Sequence, residues 1–220
     1  MFSSLKDVLR FKRFEISPAK RRLSKAANIG DLRIMAKKRL PGGVFDYIDG
    51  AAEDERTLRR NVSAFSDYGF KPRVLRDVSN IDSSVDILGT TAPIPLICSP
   101  TGFTRIAHPE GELAVSRSAA RAEIPFCLST MATRSIEEIQ DTTLQEDTAR
   151  DFAPRNWFQV YVWKDKGLLK DLLGRAKDAN FETIVITVDT AVLGRRERDV
   201  RRGFTLPPQL GLSTIIDGIR

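Results

Sequence analysis

The stretch 183-TIVITVDTAVLGRRERDVRR-202 decides how this chain is read. A short apolar run ends in an acid, Asp189, and an arginine-rich segment follows immediately. Residues two apart in a strand share a face, so Thr187 and Asp189 are expected on one side of the strand, with Ile186 and Val188 on the other. The preceding apolar run, 157-WFQVYVW-163, repeats the pattern: Gln159 and Tyr161 share a face, opposite Val160 and Val162. Strands buried in a parallel sheet are normally apolar on both faces. Polar residues recurring on one face at the C-terminal ends of successive strands therefore need a reason. Two readings stand: they satisfy the backbone of neighbouring loops, or they line the catalytic mouth of a βα barrel.

Upstream, the same spacing recurs. Apolar runs end near Cys98, Leu128, Val162 and Val188, at intervals of 30, 34 and 26 residues, with helical patterns between them. Glu110–Ala122 is rich in Ala and Ser and suits close packing on a sheet. The next pattern opens with Ser135, Ile136, Glu137 and Glu138, a capping-box sequence in which Ser135 and Glu138 exchange hydrogen bonds with each other's backbone amides. The third places Leu168, Leu169, Leu172, Leu173 and Ala176 on one stripe. Strands alternating with helices predict an α/β fold of parallel βα units. A doubly wound sheet accepts four strands, whereas a barrel needs eight. The dinucleotide-binding form of the first predicts G-x-G-x-x-G after an early strand, and the sequence contains none.

Before residue 93 the pattern is less regular. Asn28 and Asp31 predict an N-cap and first-turn acid for a helix carrying Leu32, Met35 and Ala36 and stopped by Pro41. A glycine-punctuated stretch, PGGVFDYIDGAAEDE, leads to a further helix near 53–65. The pieces VLRDV and SVDIL within 73–90 predict a hairpin.

The 220 residues carry a net charge of +6, unevenly distributed. Residues 1–40 hold 12 Lys/Arg against 3 Asp/Glu, and the rest of the chain holds 23 against 26. The basic balance therefore belongs to the N-terminal segment, and residues 1–27 read as a basic extension. A solvated tail and a peripheral contact with anionic lipid at the inner face of a membrane both remain open. Nucleic-acid binding is not expected, because no recognition motif accompanies the charge. No run approaches the roughly 18 apolar residues of a membrane span. The start, MFSSLKDVLRFKRFE, has no apolar h-region, so a cytoplasmic location is expected. Cys98 and Cys127 sit in apolar runs and read as buried free thiols. His108, the only histidine, precedes Pro109 at a helix start and reads as a capping or surface residue. No Cys/His spacing suggests a metal.

Small residues close the first two strands: Ser99, Pro100, Thr101 and Gly102, then Ser129 and Thr130. They allow backbone amides to approach a planar or anionic ligand, and they are also ordinary turn residues. The run Arg195, Arg196, Arg198, Arg201 and Arg202 reads equally as a solvated loop or as a clamp for a carboxylate.

Five segments in order, KRLPGGVFDYIDGAAEDE, SPTGFTRIAHPEGE, PFCLSTMATRSIEE, WFQVYVWKD and TVDTAVLGRRERDVRRGFTLPP, resemble the FMN-dependent 2-hydroxy-acid dehydrogenase/oxidase family of the L-lactate dehydrogenase, glycolate oxidase and mandelate dehydrogenase type. The resemblance runs from about Asn28 to Asp217. It implies FMN as cofactor and oxidation of a small, lactate-like L-2-hydroxy acid to the 2-oxo acid. The electron acceptor is oxygen, a quinone or a cytochrome, and a homo-oligomer is expected of full-length members. By position, Tyr47 and Tyr161 are expected at the substrate and Arg196 beside its carboxylate. Pro100, Thr101 and Gly102 are expected over the flavin ring, with Ser129, Gln159 and Thr187 at its polar edges. Asp189 is expected to orient the catalytic histidine, to which His108 does not correspond.

The family's histidine, a second substrate arginine, a flavin lysine and the phosphate loops all lie beyond the fourth strand. The expectation is therefore a domain over 28–220 that forms the N-terminal half of an eight-stranded TIM-type barrel. It would be truncated after the fourth strand and its following loop, preceded by helices and a hairpin. Alone, such a chain is expected to expose apolar strand edges, bind FMN weakly and turn over no hydroxy acid. The alternative is an inactive half-barrel that acts only with another chain, or not at all.

Overall fold

The computed structural model describes residues 16–147, 154–192 and 194–204. Most of the basic extension, residues 1–15, lies outside them. The chain forms two units, Met1–Asp49 with Arg198–Arg220, and Gly50–Glu197.

The first unit is helical. Helix α1 (Pro18–Leu23) starts at Ser17, whose side chain accepts from the Lys20 amide. Helix α2 (Ile29–Arg39) is capped as its sequence predicts: the Asn28 side-chain oxygen accepts from the Asp31 amide at 3.0 Å. Asp31 in turn accepts from the Ala27 amide at 2.8 Å. The glycine-punctuated stretch expected next is instead a helix, α3 (Gly42–Asp49). Two glycines weigh against a helix, but Pro41 needs no amide partner at a helix start. Its carbonyl accepts from the Phe45 amide at 2.9 Å, and Phe45 is buried. Helix α8 (Glu197–Arg202) contributes all but its first residue to this unit. Arg198 bonds Asp49 at 2.8 Å, Arg33 forks onto the same carboxylate, and Arg202 pairs with Asp46. The Arg33 hydrogen bonds hold the Asp49 carboxyl below its ordinary range against the opposing effect of burial, with Arg198 adding to them. Three of the five clustered arginines, Arg198, Arg201 and Arg202, are thus helical, and Arg198 and Arg202 pair with the α3 carboxylates.

The second unit opens with α4 (Arg56–Ser63), extended by a 3₁₀ turn over Ala64–Asp67. The hairpin exists but is displaced from its expected place. Strand β1 (Val85–Ile87) pairs antiparallel with β2 (Thr90–Ala92), joined through Leu88 and Gly89, both at positive φ. That is the two-residue turn whose twist matches paired strands. The VLRDV piece forms no strand. Asp77 and Asp82 accept from the amides of Ser79 and Ser84 at 2.9 Å, and these local turns compete with strand pairing.

A parallel sheet follows. Strands β3 (Phe126–Leu128), β4 (Asn156–Tyr161) and β5 (Thr183–Thr187) pair in sequence order. The first expected strand is reduced to one parallel bridge, Cys98 to Phe126. The order does not reverse, unlike that of a doubly wound sheet. Right-handed crossovers then put every connecting helix on one face. Accordingly α5 (Glu112–Arg121) packs on α6 (Ile136–Asp147), and α6 packs on α7 (Lys166–Asp178). The core between sheet and helices comprises Ala119, Ile124, Phe126, Leu128, Ile136, Ile139, Phe158, Val160, Ala176 and Phe181. Leu169 and Leu172 flank it from α7, while Leu168, expected on the same stripe, is exposed.

The capping box forms as predicted. Ser135 Oγ accepts from the Glu138 amide at 3.1 Å, and the Glu138 carboxylate accepts from the Ser135 amide at 2.8 Å. At the start of β4, Arg155 is buried. It bonds Glu182 at 2.9 Å and donates to the carbonyls of Ile87 and Thr90, which ties the hairpin to the N-terminal edge of the sheet. The opposite edge is left for loops with other tasks. Among the described residues the strands form no closed barrel, and no helix is long and apolar enough to cross a membrane.

Candidate functional site

At the C-terminal ends of β3, β4 and β5, the parity expected from sequence takes physical form. Gln159 lies opposite Val185 and Tyr161 opposite Thr187, so their side chains share one face. Phe158 and Val160 point the other way, into the core beneath the helices. The buried Gln159 side chain spans three strands. Its Oε1 accepts from Ser129 Oγ at 3.3 Å and from the Thr130 amide at 3.1 Å, and its Nε2 donates to Thr187 Oγ1 at 2.7 Å. A backbone N–H only donates, so Oε1 must face Thr130 and the Nε2 group must face Thr187. The first reading of these polar residues, contact with neighbouring loop backbone, is therefore met. Gln159 satisfies loop backbone, and it also joins a continuous polar row across the strand ends.

Thr130 was expected only as a small residue closing the second strand, with no role for its side chain. Its hydroxyl donates to the Gln159 carbonyl and accepts from the Tyr161 amide at 3.2 Å, which stitches the loop after β3 to the end of β4. Its position at a strand end beside Ser129 was the available signal.

The loop after the Cys98 bridge lies against this row. The Phe103 amide donates to the Met131 carbonyl at 3.0 Å. A Cβ on Gly102 would sit 2.9 Å from that of Met131 and 3.2 Å from its carbonyl oxygen, so this approach requires glycine. Pro100 and Thr101 precede it, both exposed. Behind them, the Glu112 carboxylate at the start of α5 accepts from the Thr133 amide at 2.8 Å and from the Thr133 hydroxyl at 2.7 Å. Glu112 was absent from the expected set, since an acid in the first turn of a helix looks like any other helix-start acid.

The remaining expected residues divide. Strand β5 ends at Thr187, so the shared face is established for Thr187 but not extended to Asp189, which lies beyond the strand and is exposed. Arg196 Nη2 donates to the Gly50 carbonyl at 3.0 Å, where the 194–196 segment runs along residues 50–53. Tyr47 belongs to α3 of the other unit, where its ring lies 5.7 Å from that of Phe204. His108 is exposed, as a surface residue, and its Nδ1 accepts from the Glu110 amide at 3.3 Å in a local turn; it does not cap α5, whose N-cap is Gly111. Cys127 and Cys98 are free thiols; burial pushes Cys127 up to about 12, against a weaker hydrogen-bonding effect from Gln159, and raises Cys98 as well.

A parallel βα sheet with a polar row at its C-terminal ends defines a class of enzyme scaffold, and comparison with known proteins gives the particular family. Residues 36–220 match the model of the FMN-dependent dehydrogenases, and the chain belongs to that family. It is 43% identical over 215 residues to a Mycobacterium tuberculosis protein named as an L-lactate dehydrogenase, covering 98% of this chain and 50% of that protein. It is 42% identical over 186 residues to glycolate oxidase of Spinacia oleracea, covering 84% of this chain and 48% of the relative. Among solved structures, a monotopic membrane (S)-mandelate dehydrogenase superimposes with a TM-score of 0.79 at 35% identity, covering 89% of this chain and 50% of that one. The chain thus spans about half the length of the relatives it matches. FMN is the cofactor of this family.

Proposed function

We propose that this chain carries the flavin-facing side of an enzyme that oxidises a small, lactate-like L-2-hydroxy acid to its 2-oxo acid, and that its sheet is one half of an eight-stranded barrel. The Ser129–Gln159–Thr187 row carries this reading. An amide and hydroxyls without net charge suit the carbonyl and ring-nitrogen edge of a flavin, and glycine at 102 lets loop backbone come close. Bound FMN supplies an acceptor for the two electrons released when the hydroxy acid loses its C–H and O–H hydrogens.

The other tasks fall to protein groups. Gln159 and Thr187 hold the polar edge of the ring, with Ser129 beside them. The Tyr161 phenol hydrogen-bonds the hydroxyl region of the substrate. Arg196 holds its carboxylate; a guanidinium has five N–H donors, so the Gly50 bond and a carboxylate are compatible. Asp189 orients a histidine base by accepting its ring N–H, which favours the imidazolium formed on proton uptake. That base is not His108, whose Nδ1 is engaged by Glu110.

Titrating FMN into the chain, alone and mixed with a complementary C-terminal half, tests the proposal. Saturable binding that Gln159→Leu weakens at least about tenfold, as loss of buried hydrogen bonds implies, supports it. Absence of binding in both preparations overturns it.

A second reading is an inactive half-barrel that acts only with another chain. It is favoured by the exposure of Ile184 and Ile186 on the helix-side face of β5. Sedimentation of the purified chain separates the two: a stable monomer that takes up FMN rules out the second.

A further inference from the structure

Strand β3 stops at Leu128, yet its ladder with β4 continues for one more rung through a side chain. The register pairs Phe126 with Asn156 and Leu128 with Phe158, so the next rung in line would join Thr130 to Val160. On such a parallel rung the β3 residue donates to the carbonyl before its partner and accepts from the amide after it. The Phe126 amide does the first of these, donating to the Arg155 carbonyl at 3.0 Å. At Thr130 the groups to be met are the Gln159 carbonyl and the Tyr161 amide. The backbone turns away there, with the Ala132 amide donating to the Ser129 carbonyl at 3.0 Å. The Thr130 hydroxyl meets both groups instead: it donates to the Gln159 carbonyl and accepts from the Tyr161 amide at 3.2 Å. A hydroxyl has one proton to give and lone pairs to receive, so it can fill the rung its own backbone vacates.

The vacated Thr130 amide has another partner, Gln159 Oε1 at 3.1 Å. Among the described residues three groups bond this carboxamide, and only the amide has a fixed sense. The Ser129 and Thr187 hydroxyls can each donate or accept, whereas a backbone N–H can only donate. A flipped carboxamide would set Nε2 against that N–H. The Thr130 amide alone therefore decides that Oε1 faces the loop after β3 and Nε2 faces Thr187. Oε1 then takes two bonds, while Nε2 gives one hydrogen to Thr187 and keeps its second.

We propose that Thr130 is a positioning residue: its hydroxyl replaces its backbone in the ladder, and the amide so released locks the Gln159 carboxamide with one Nε2 hydrogen left for an acceptor atom of the flavin. The lock stands on geometry; its service to flavin rests on the function proposed above.

NMR of the Gln159 side-chain amide protons in isotope-labelled chain, identified by their loss in Gln159→Leu, tests the lock. In the wild-type chain these protons should exchange slowly with water. Thr130→Ser keeps the hydroxyl and should leave their exchange within about twofold. Thr130→Val is nearly isosteric but leaves the Gln159 carbonyl and the Tyr161 amide without this partner. The donor that the ladder itself would supply to that carbonyl is the residue-130 amide, which is then drawn from Oε1. Exchange of the carboxamide should rise at least about tenfold, the effect of losing a buried hydrogen bond, while the backbone amides of Phe126–Leu128 stay within about twofold. Should the valine variant fail to fold, Thr130→Ala carries the same expectation. Fast exchange in the wild-type chain, unchanged exchange in Thr130→Val, an equal rise at Phe126–Leu128, or a serine variant that behaves like the valine variant overturns the lock.

Quenching of flavin fluorescence supplies the second measurement. Thr130→Val should weaken FMN binding at least about fivefold and Thr130→Ser by no more than about twofold. A freed carboxamide with unaltered FMN affinity overturns the positioning role. A wild-type chain that binds no FMN, alone and with a complementary half, removes the function proposed above, while exchange of the Gln159 carboxamide still decides the lock.

Discussion

Strands β4 and β5 are paired residue for residue, yet they occupy different environments. Phe158 lies opposite Ile184 and Val160 opposite Ile186, on the same face of one sheet. Phe158 and Val160 are each 2% exposed, whereas Ile184 is 40% and Ile186 57% exposed. Strand pairing dictates which way a side chain points, but not whether anything covers it. Helices α6 and α7 supply Ile136, Ile139 and Ala176 to the core around Phe158 and Val160, a cluster that includes neither Ile184 nor Ile186. Turned to the other face, the comparison reverses: Gln159 and Thr187 meet each other whether or not their strands are covered behind.

Substitutions at the paired positions sharpen this contrast most. Phe158→Ala should cost about 3–5 kcal/mol, the range for removing a buried aromatic ring, read as a lower denaturant midpoint. Arg155→Ala tests whether the opposite edge depends on a buried cation. It removes the donors to Ile87 and Thr90 and the cation beside Glu182, which keeps its hydrogen bond from Trp157 Nε1 at 2.6 Å. A loss of about 3 kcal/mol, the lower end for breaking a buried ion pair, is expected because Glu182 is partly solvated. Thermal unfolding checks it, and a loss below about 1 kcal/mol would show that the hairpin holds without its anchor.

The surface pair Arg175–Glu137 should matter less. Hydrogen bonding from Arg175 brings the Glu137 carboxyl to about 2, from an ordinary value of 4.5. A depressed carboxyl stabilises the fold above its unfolded pKa, and that contribution fades as pH falls from about 4.5 towards 2. Both side chains are substantially exposed, so Glu137→Gln at pH 7 should cost no more than about 0.5 kcal/mol and the effect should shrink with salt. Smallest of all, Ile186→Thr should change stability by about 0.5 kcal/mol or less, as at an exposed site. A loss as large as that for Phe158→Ala would break the comparison, by showing that β5 is covered in solution.

Sequence was a good guide wherever the physics was local or periodic. The Asn28 cap and the Ser135–Glu138 box need only neighbouring residues, and both formed as read. Alternation in WFQVYVW and TIVIT placed Gln159 and Thr187 on one face, because the period of a strand is two. The misses share another cause. Helix α3 forms across two glycines because Phe45 finds a buried place, which propensity does not register. The hairpin settled downstream of VLRDV because Asp77 and Asp82 draw neighbouring backbone into turns. Glu112 and Thr133 are 21 residues apart and meet only when the start of α5 packs against the loop after β3.

By itself the sequence determined the family, the parallel βα pattern, and the shared facing of Gln159, Tyr161 and Thr187. These follow from motif order, side-chain alternation and local capping, which act within a few residues. Only the tertiary structure decided which acid is buried, which loop needs a glycine to approach another, and which of two paired strands is covered. Those outcomes depend on burial and on contacts between distant segments, and neither exists until the chain has packed.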